Sequence, residues 1–166
     1  MLEHLELLRD AVRQARNDRS FAIEAWVVLP DHMHAVWTLP EGDHDYSVRW
    51  SAIKSRFTAA VCRAGFSPPF TLPIVQSGRY AGLKPGLRQE KRERGIWQRR
   101  FWEHHCRSER DLQKHMRYCW LNPVKHGLVD RPVDWIPSSI HRDIRLGRVD
   151  PEWSGIDPEG YFGEVA

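Results

Sequence analysis

The chain has 166 residues, 41 % of them apolar, with 25 Lys and Arg against 22 Asp and Glu, which suits one domain with its own core and is too short for two. A net charge of +3 and a pI near 8.9 permit a polyanionic partner without requiring one. Cys62, Cys106 and Cys119 include no Cys-x-x-Cys, so a reducing cytoplasm is expected and a thiolate metal site is not. The acid-containing opening Met1-Leu2-Glu3-His4-Leu5-Glu6 reads as neither signal peptide nor membrane span, so a cytoplasmic protein with no membrane partner is expected.

Leu5, Leu8 and Val12 recur at helical spacing among Glu and Arg, predicting an amphipathic helix over 2–17. The period then changes. Residues 21–29 are aromatic and branched, Pro30-Asp31 turns the chain, and 32–39 form a second apolar run, an antiparallel hairpin. Pro40-Glu41-Gly42-Asp43 breaks that strand, and Trp50, Ile53, Phe57 and Val61 predict a helix over 46–62, with Lys54 and Arg56 off its apolar stripe. Trp26, Trp37 and Trp50 occupy positions that read as buried faces. Residues 67–95, rich in Pro, Gly and Arg, read as a loop and 95–107 as a strand. Ser108-x-x-Asp111 is a capping signal for a helix to about Leu121. The expected fold is α/β of the α+β kind, an antiparallel sheet flanked by helices in the ferredoxin-like or RRM-like style.

Alternation along a strand puts His32 and His34 on one face and Met33 on the other. The pair reads either as a two-imidazole clamp for a divalent metal, its shell completed by other groups, or as two half-buried histidines. Tyr118 and Asn122, four residues apart, share a helix face, and Pro123 is expected to end the helix at Asn122 and leave its amide at an exposed lip. They read either as a nucleophile beside a neutral oxygen ligand, or as a core tyrosine and a capping asparagine. Tyr46, Tyr80 and Tyr161 fall in apparent turns or loops without a ligand partner at helical spacing. Glu24, Glu103 and His104 lie on expected strands that could reach the site, but such groups beside Arg and His are more often salt-bridge partners.

Four words bring these signals together in order: Trp26-Val27-Val28-Leu29-Pro30-Asp31-His32-Met33-His34, then Gly95-Ile96-Trp97-Gln98-Arg99-Arg100-Phe101-Trp102-Glu103-His104, then Tyr118-x-x-x-Asn122, then Pro123-Val124-Lys125-His126-Gly127-Leu128-Val129. Over about 21–129 the chain resembles the single-tyrosine, His-hydrophobic-His transposases, and more closely the branch associated with repetitive extragenic palindromes. The resemblance implies a single-stranded DNA nuclease and strand transferase acting on hairpin-bearing palindromic repeats. In it His32, His34 and Asn122 would hold Mg²⁺ or Mn²⁺, and Tyr118 would attack the scissile phosphate to form a 5′-phosphotyrosine. It also implies a strand ahead of the first helix, where this chain begins almost at the helix, and a C-terminal wrap over about 130–166 of the one domain. Family members act as monomers or dimers, a choice the residues leave open.

The segment 78–100 carries Arg79, Lys84, Arg88, Lys91, Arg92, Arg94, Arg99 and Arg100 against Glu90 and Glu93. Beside such chemistry the cluster reads as a phosphate-binding surface, with Tyr80, Trp97 and Trp102 available to stack bases; without it, as a solvated loop. Two other functions compete with strand transfer: a DNA-binding protein that keeps the scaffold without activity, and a metal-dependent phosphodiesterase using water, with Tyr118 only positioning.

Overall fold

A computed structural model describes residues 1–65, 96–97 and 102–155 of the chain. A short 3₁₀ turn, Leu2–His4, leads into α1 (Leu5–Asp18); β1 (Ala22–Val28) and β2 (Met33–Thr38) follow, then α2 (Tyr46–Arg63), α3 (Glu109–Lys125), a 3₁₀ turn at Pro132–Asp134 and α4 (Ile140–Arg145). The hairpin is antiparallel, pairing Val28 with Met33 and Ala22 with Thr38. Helices on an antiparallel sheet agree with the expected α+β class; the sheet among the described residues has two strands. None of the described helices is long and apolar enough to cross a membrane.

A bulge in β1 decides which side chains meet which layer. Ile23 pairs with Trp37 and Ala25 with Val36, so Glu24 is an extra residue and the parity of β1 inverts across it. Before the bulge Phe21 and Ile23 face α1 and α2; after it Trp26 and Val28 do, while Ala25, Val27 and Leu29 face α3. In β2, Met33 and Trp37 face α1 and α2, and Val36 packs with the α3 layer. His34 shares the parity of Val36 and pairs with Val27, so it points toward α3.

The first layer joins Leu8, Ala11 and Ala15 of α1 to Ile53, Phe57 and Val61 of α2. Trp37 stacks on Trp50 at 4.5 Å and on Trp26 at 6.2 Å, half-buried rather than sealed. At its edge Arg49, 2 % exposed, donates to both carboxylate oxygens of Asp43 at 3.1 and 2.6 Å and to the carbonyl of Ser20 at 2.9 Å. That guanidinium holds the Asp43 carboxyl down at about 2. Of the two cations off the stripe, Arg56 pairs with Asp18 and Lys54 lies over Trp97.

The second layer sets Met116, Cys119 and Trp120 of α3 against Ala25, Val27 and Leu29. The C-terminal segment closes the free edge of β1. Val28 N–H donates to the Pro137 carbonyl at 2.9 Å, Ser139 N–H to the Trp26 carbonyl at 2.8 Å, and Arg142 to the carbonyls of Ile23 and Glu24, both at 2.6 Å. Edge groups left open would template pairing with other chains.

Two expectations need correcting. Of 95–107, the described residues 96–97 and 102–107 contain no strand: Trp97 docks on α2, donating to Thr58 Oγ1 at 3.0 Å, and 102–107 runs irregularly into α3. Nor does Pro123 end α3. Ser108 caps the start as expected, accepting from Asp111 N–H at 3.2 Å, but the helix continues to Lys125. The terminator is Gly127, at φ 65°, with Gly127 N–H on the Val124 carbonyl and Leu128 N–H on the Pro123 carbonyl, both at 2.9 Å. This double bond pattern with a left-handed glycine is a Schellman stop. Pro123 removes only the N–H that would have met Cys119, a loss tolerated in the last turn where packing holds the helix.

Candidate active site

The turn before β2 and the C-terminal half of α3 meet in a line of rings. The His32 and His34 rings lie 5.0 Å apart, His34 meets the Tyr118 ring edge-on at 5.7 Å, and His32 meets His126 at 5.1 Å. Tyr118, Asn122 and the C-cap residue His126 are spaced by four, so they form one stripe running off the end of α3, with Asn122 between the two residues that touch the histidines. The stripe is held against β2 by Cys119, whose Sγ lies 3.5 Å from the His34 carbonyl. Burial pushes that thiol far above its ordinary range, which suits packing rather than chemistry.

The groups around the rings define their states. Asp31 Oδ1 sits 2.7 Å from His32 Nδ1, and the hydrogen bond holds the Asp31 carboxyl below the usual carboxylate range. A carboxylate on Nδ1 orients the imidazole and leaves Nε2 as its ligand nitrogen. Lys125 Nζ lies 4.4 Å from the centre of the Tyr118 ring, where a cation favours negative charge on the phenol. Asn122, 1 % exposed, donates from Nδ2 to the Tyr118 carbonyl at 2.9 Å, which leaves Oδ1 as its lone-pair donor.

The elements that carry His32, His34, Tyr118 and Asn122 are thus brought together. Asn122 is not at an exposed lip: with α3 running on past Pro123, its side chain is enclosed within the helix packing. Arg79, Lys84, Arg88, Lys91, Arg92, Arg94, Arg99 and Arg100 lie outside the described residues. Tyr46, expected in a turn, begins α2 and hydrogen-bonds Glu103, which raises its pKa. Sequence reasoning overlooked Asp31, Lys125 and His126 as site neighbours; His126 was detectable as the next step of the 118, 122 stripe, had the helix not been ended at Pro123. Two imidazoles and one amide oxygen, with one imidazole backed by a carboxylate, fit a divalent cation that takes its remaining ligands from a phosphate or water.

No family model matches the chain. A REP-associated tyrosine transposase of Escherichia coli is 42 % identical to it over 159 residues, spanning 96 % of this chain and 78 % of the relative. The chain belongs to the REP-associated tyrosine transposases. A Haemophilus influenzae protein assigned to the same family is 36 % identical over 155 residues, spanning 93 % of this chain and 79 % of its own. Among solved structures, that of a REP-associated tyrosine transposase bound to a REP hairpin superposes with a TM-score of 0.70 at 39 % identity, covering 94 % of this chain and 75 % of that one. This family member is therefore a DNA transposase, and its tyrosine on a helix beside a histidine-bearing strand is the feature to be explained.

Proposed function

We propose that the chain cleaves and rejoins single-stranded, hairpin-bearing repeat DNA through Tyr118, with His32, His34 and Asn122 holding Mg²⁺ or Mn²⁺, as one cytoplasmic domain. The observation that carries this reading is the edge-on contact of the Tyr118 and His34 rings at 5.7 Å across the α3–β2 boundary. It supports Tyr118 as the nucleophile, because its ring adjoins the two-imidazole pair. The relative seen with a REP hairpin supports the substrate class, and the cations of 79–100 supply charge for its phosphates.

A phosphodiester repels anionic nucleophiles, and a divalent ion bound here would neutralise that charge and polarise a non-bridging oxygen. A tyrosine hydroxyl in water is ordinarily protonated at neutral pH, so Tyr118 must lose its proton as it attacks. Lys125 over the ring favours the developing phenolate. The new bond joins the tyrosine oxygen to phosphorus as the bond to the 3′ oxygen breaks, giving a 5′-phosphotyrosine and a 3′-hydroxyl that takes up a proton. Because a phosphodiester is exchanged for a phosphodiester, the hydroxyl of another strand can reverse the step without ATP. Asp31 keeps the His32 ring oriented, and Asn122, fixed by its bond to the Tyr118 carbonyl, keeps the amide in register with the phenol.

The test is a denaturing gel of protein, Mn²⁺ and end-labelled hairpins taken from beside the gene. Wild type should retain covalent label and Tyr118→Phe none. Hairpin binding without an adduct in wild type would instead indicate a DNA-binding protein, and persistent cleavage by Tyr118→Phe a water-dependent phosphodiesterase.

A further inference from the structure

At the opposite end of α3 lies a second group of donors that strand transfer does not use. His104 and Cys106, from the segment entering the helix, and Asp111 and His115, from its first two turns, bring one ligand atom each to within 4.8 Å of one another. Asp111 Oδ2 is 2.8 Å from His104 Nε2 and accepts the Arg107 N–H at 3.0 Å, and Asp111 Oδ1 is 3.1 Å from His115 Nδ1. The His104 and His115 rings stack at 4.3 Å with 13° between their planes.

We propose that His104, Cys106, Asp111 and His115 form a structural site for a zinc-class divalent ion, separate from the ion of the strand-transfer site. One thiolate, two imidazoles and one carboxylate are a borderline-soft set that suits zinc and disfavours Mg²⁺ or Mn²⁺, which prefer oxygen. Bond lengths of about 2.0–2.3 Å in a tetrahedron separate ligand atoms by roughly 3.3–3.8 Å, so the group needs side-chain shifts of about an ångström to close. On closing, the Cys106 thiol gives its proton to solvent and the S–Zn bond forms. The ion would pin the entering segment to the helix, with His115 three residues before Tyr118, and so fix the end of the element that carries the nucleophile. Cysteine spacing gave no hint of this site, because it takes only one thiolate.

The chelator-treated full-length protein is titrated with Co²⁺. Wild type and Cys62→Ser should show a near-ultraviolet thiolate-to-cobalt charge-transfer band that saturates at one equivalent and is abolished by one equivalent of Zn²⁺. Cys106→Ser should lack the band and bind zinc at least about 100-fold more weakly, beyond the roughly 10–100-fold that loss of an outer-shell partner costs. His104→Ala, altered at the exposed end of the cluster, gives a second reading should Cys106→Ser not fold: it should weaken zinc similarly while keeping sulfur-to-cobalt absorption. Absence of the band in wild type, its survival in Cys106→Ser, or unchanged zinc affinity in His104→Ala would each overturn the proposal.

Discussion

On one face of the hairpin, Trp26 and Trp37 stack with Trp50 over an apolar layer built from α1 and α2; on the other, Val27 and Val36 flank His34, which meets Tyr118 of α3. Both faces are lined by the same two strands, and successive residues of β2 serve opposite layers. The tryptophan face gains only from burial and tolerates imprecision, since apolar contact is nondirectional. On the proposed chemistry the α3 face must also hold a phenol, two imidazoles and an amide in a fixed arrangement, and Met116, Cys119 and Trp120 are packing residues interleaved with those candidate residues on one helix. Both faces bury core and hold the fold; on the proposed chemistry the second also governs whether the folded protein reacts.

Substitutions divide along that line. The largest effect is expected from His34→Ala, which should lower hairpin cleavage by about 10³-fold or more while unfolding by urea shifts little, as assayed by gel at saturating Mn²⁺. Trp37→Ala, three residues further along β2 and on its opposite face, should reverse the pattern: a loss of about 3 kcal/mol in urea denaturation, with cleavage per folded molecule at the wild-type level. A drop in that specific activity would mean the two layers are coupled. Arg49→Met should cost roughly 2–3 kcal/mol, because the carbonyls of Ser20 and Asp45 and the Asp43 carboxylate lose their donor, again without a catalytic deficit.

The smallest effect is one of pH. The folded-state pKa of Asp43 is lowered from 3.8 to about 2, so its contribution is fully present above about pH 4 and is lost as pH falls through about 2. Between pH 5 and pH 2.5 the wild type should lose more stability than Asp43→Asn, by thermal melts at matched ionic strength. Equal losses would show that the ion pair with Arg49 does not favour the native state.

How much was legible from residues alone differs from element to element. The extents of α1, β1, β2 and α2 follow from periodicity to within a few residues, because each buries one face and the period of the apolar residues reports it. The Ser108 cap was equally readable, being a local hydrogen bond. The end of α3 was not: local sterics weigh Pro123 as a stop, but buried packing of Asn122 and the left-handed Gly127 outweigh them. Arg49 gave no signal, since a polar residue at a helical position reads as solvent-facing until its carboxylate partner is seen folded against it.

The sequence by itself determined which residues could carry the chemistry, because the His-x-His spacing and the helical step from Tyr118 to Asn122 are local, although His32 lies in the turn just before β2 and only His34 on the strand. Only the tertiary structure decided that the two pairs meet, that the Glu24 bulge turns the β1 residues opposite His34 toward α3 rather than α1, and that His126 and Lys125 join the group. Those contacts depend on packing between elements far apart in the chain, where the hydrophobic pattern specifies that a face is buried but not which partner buries it.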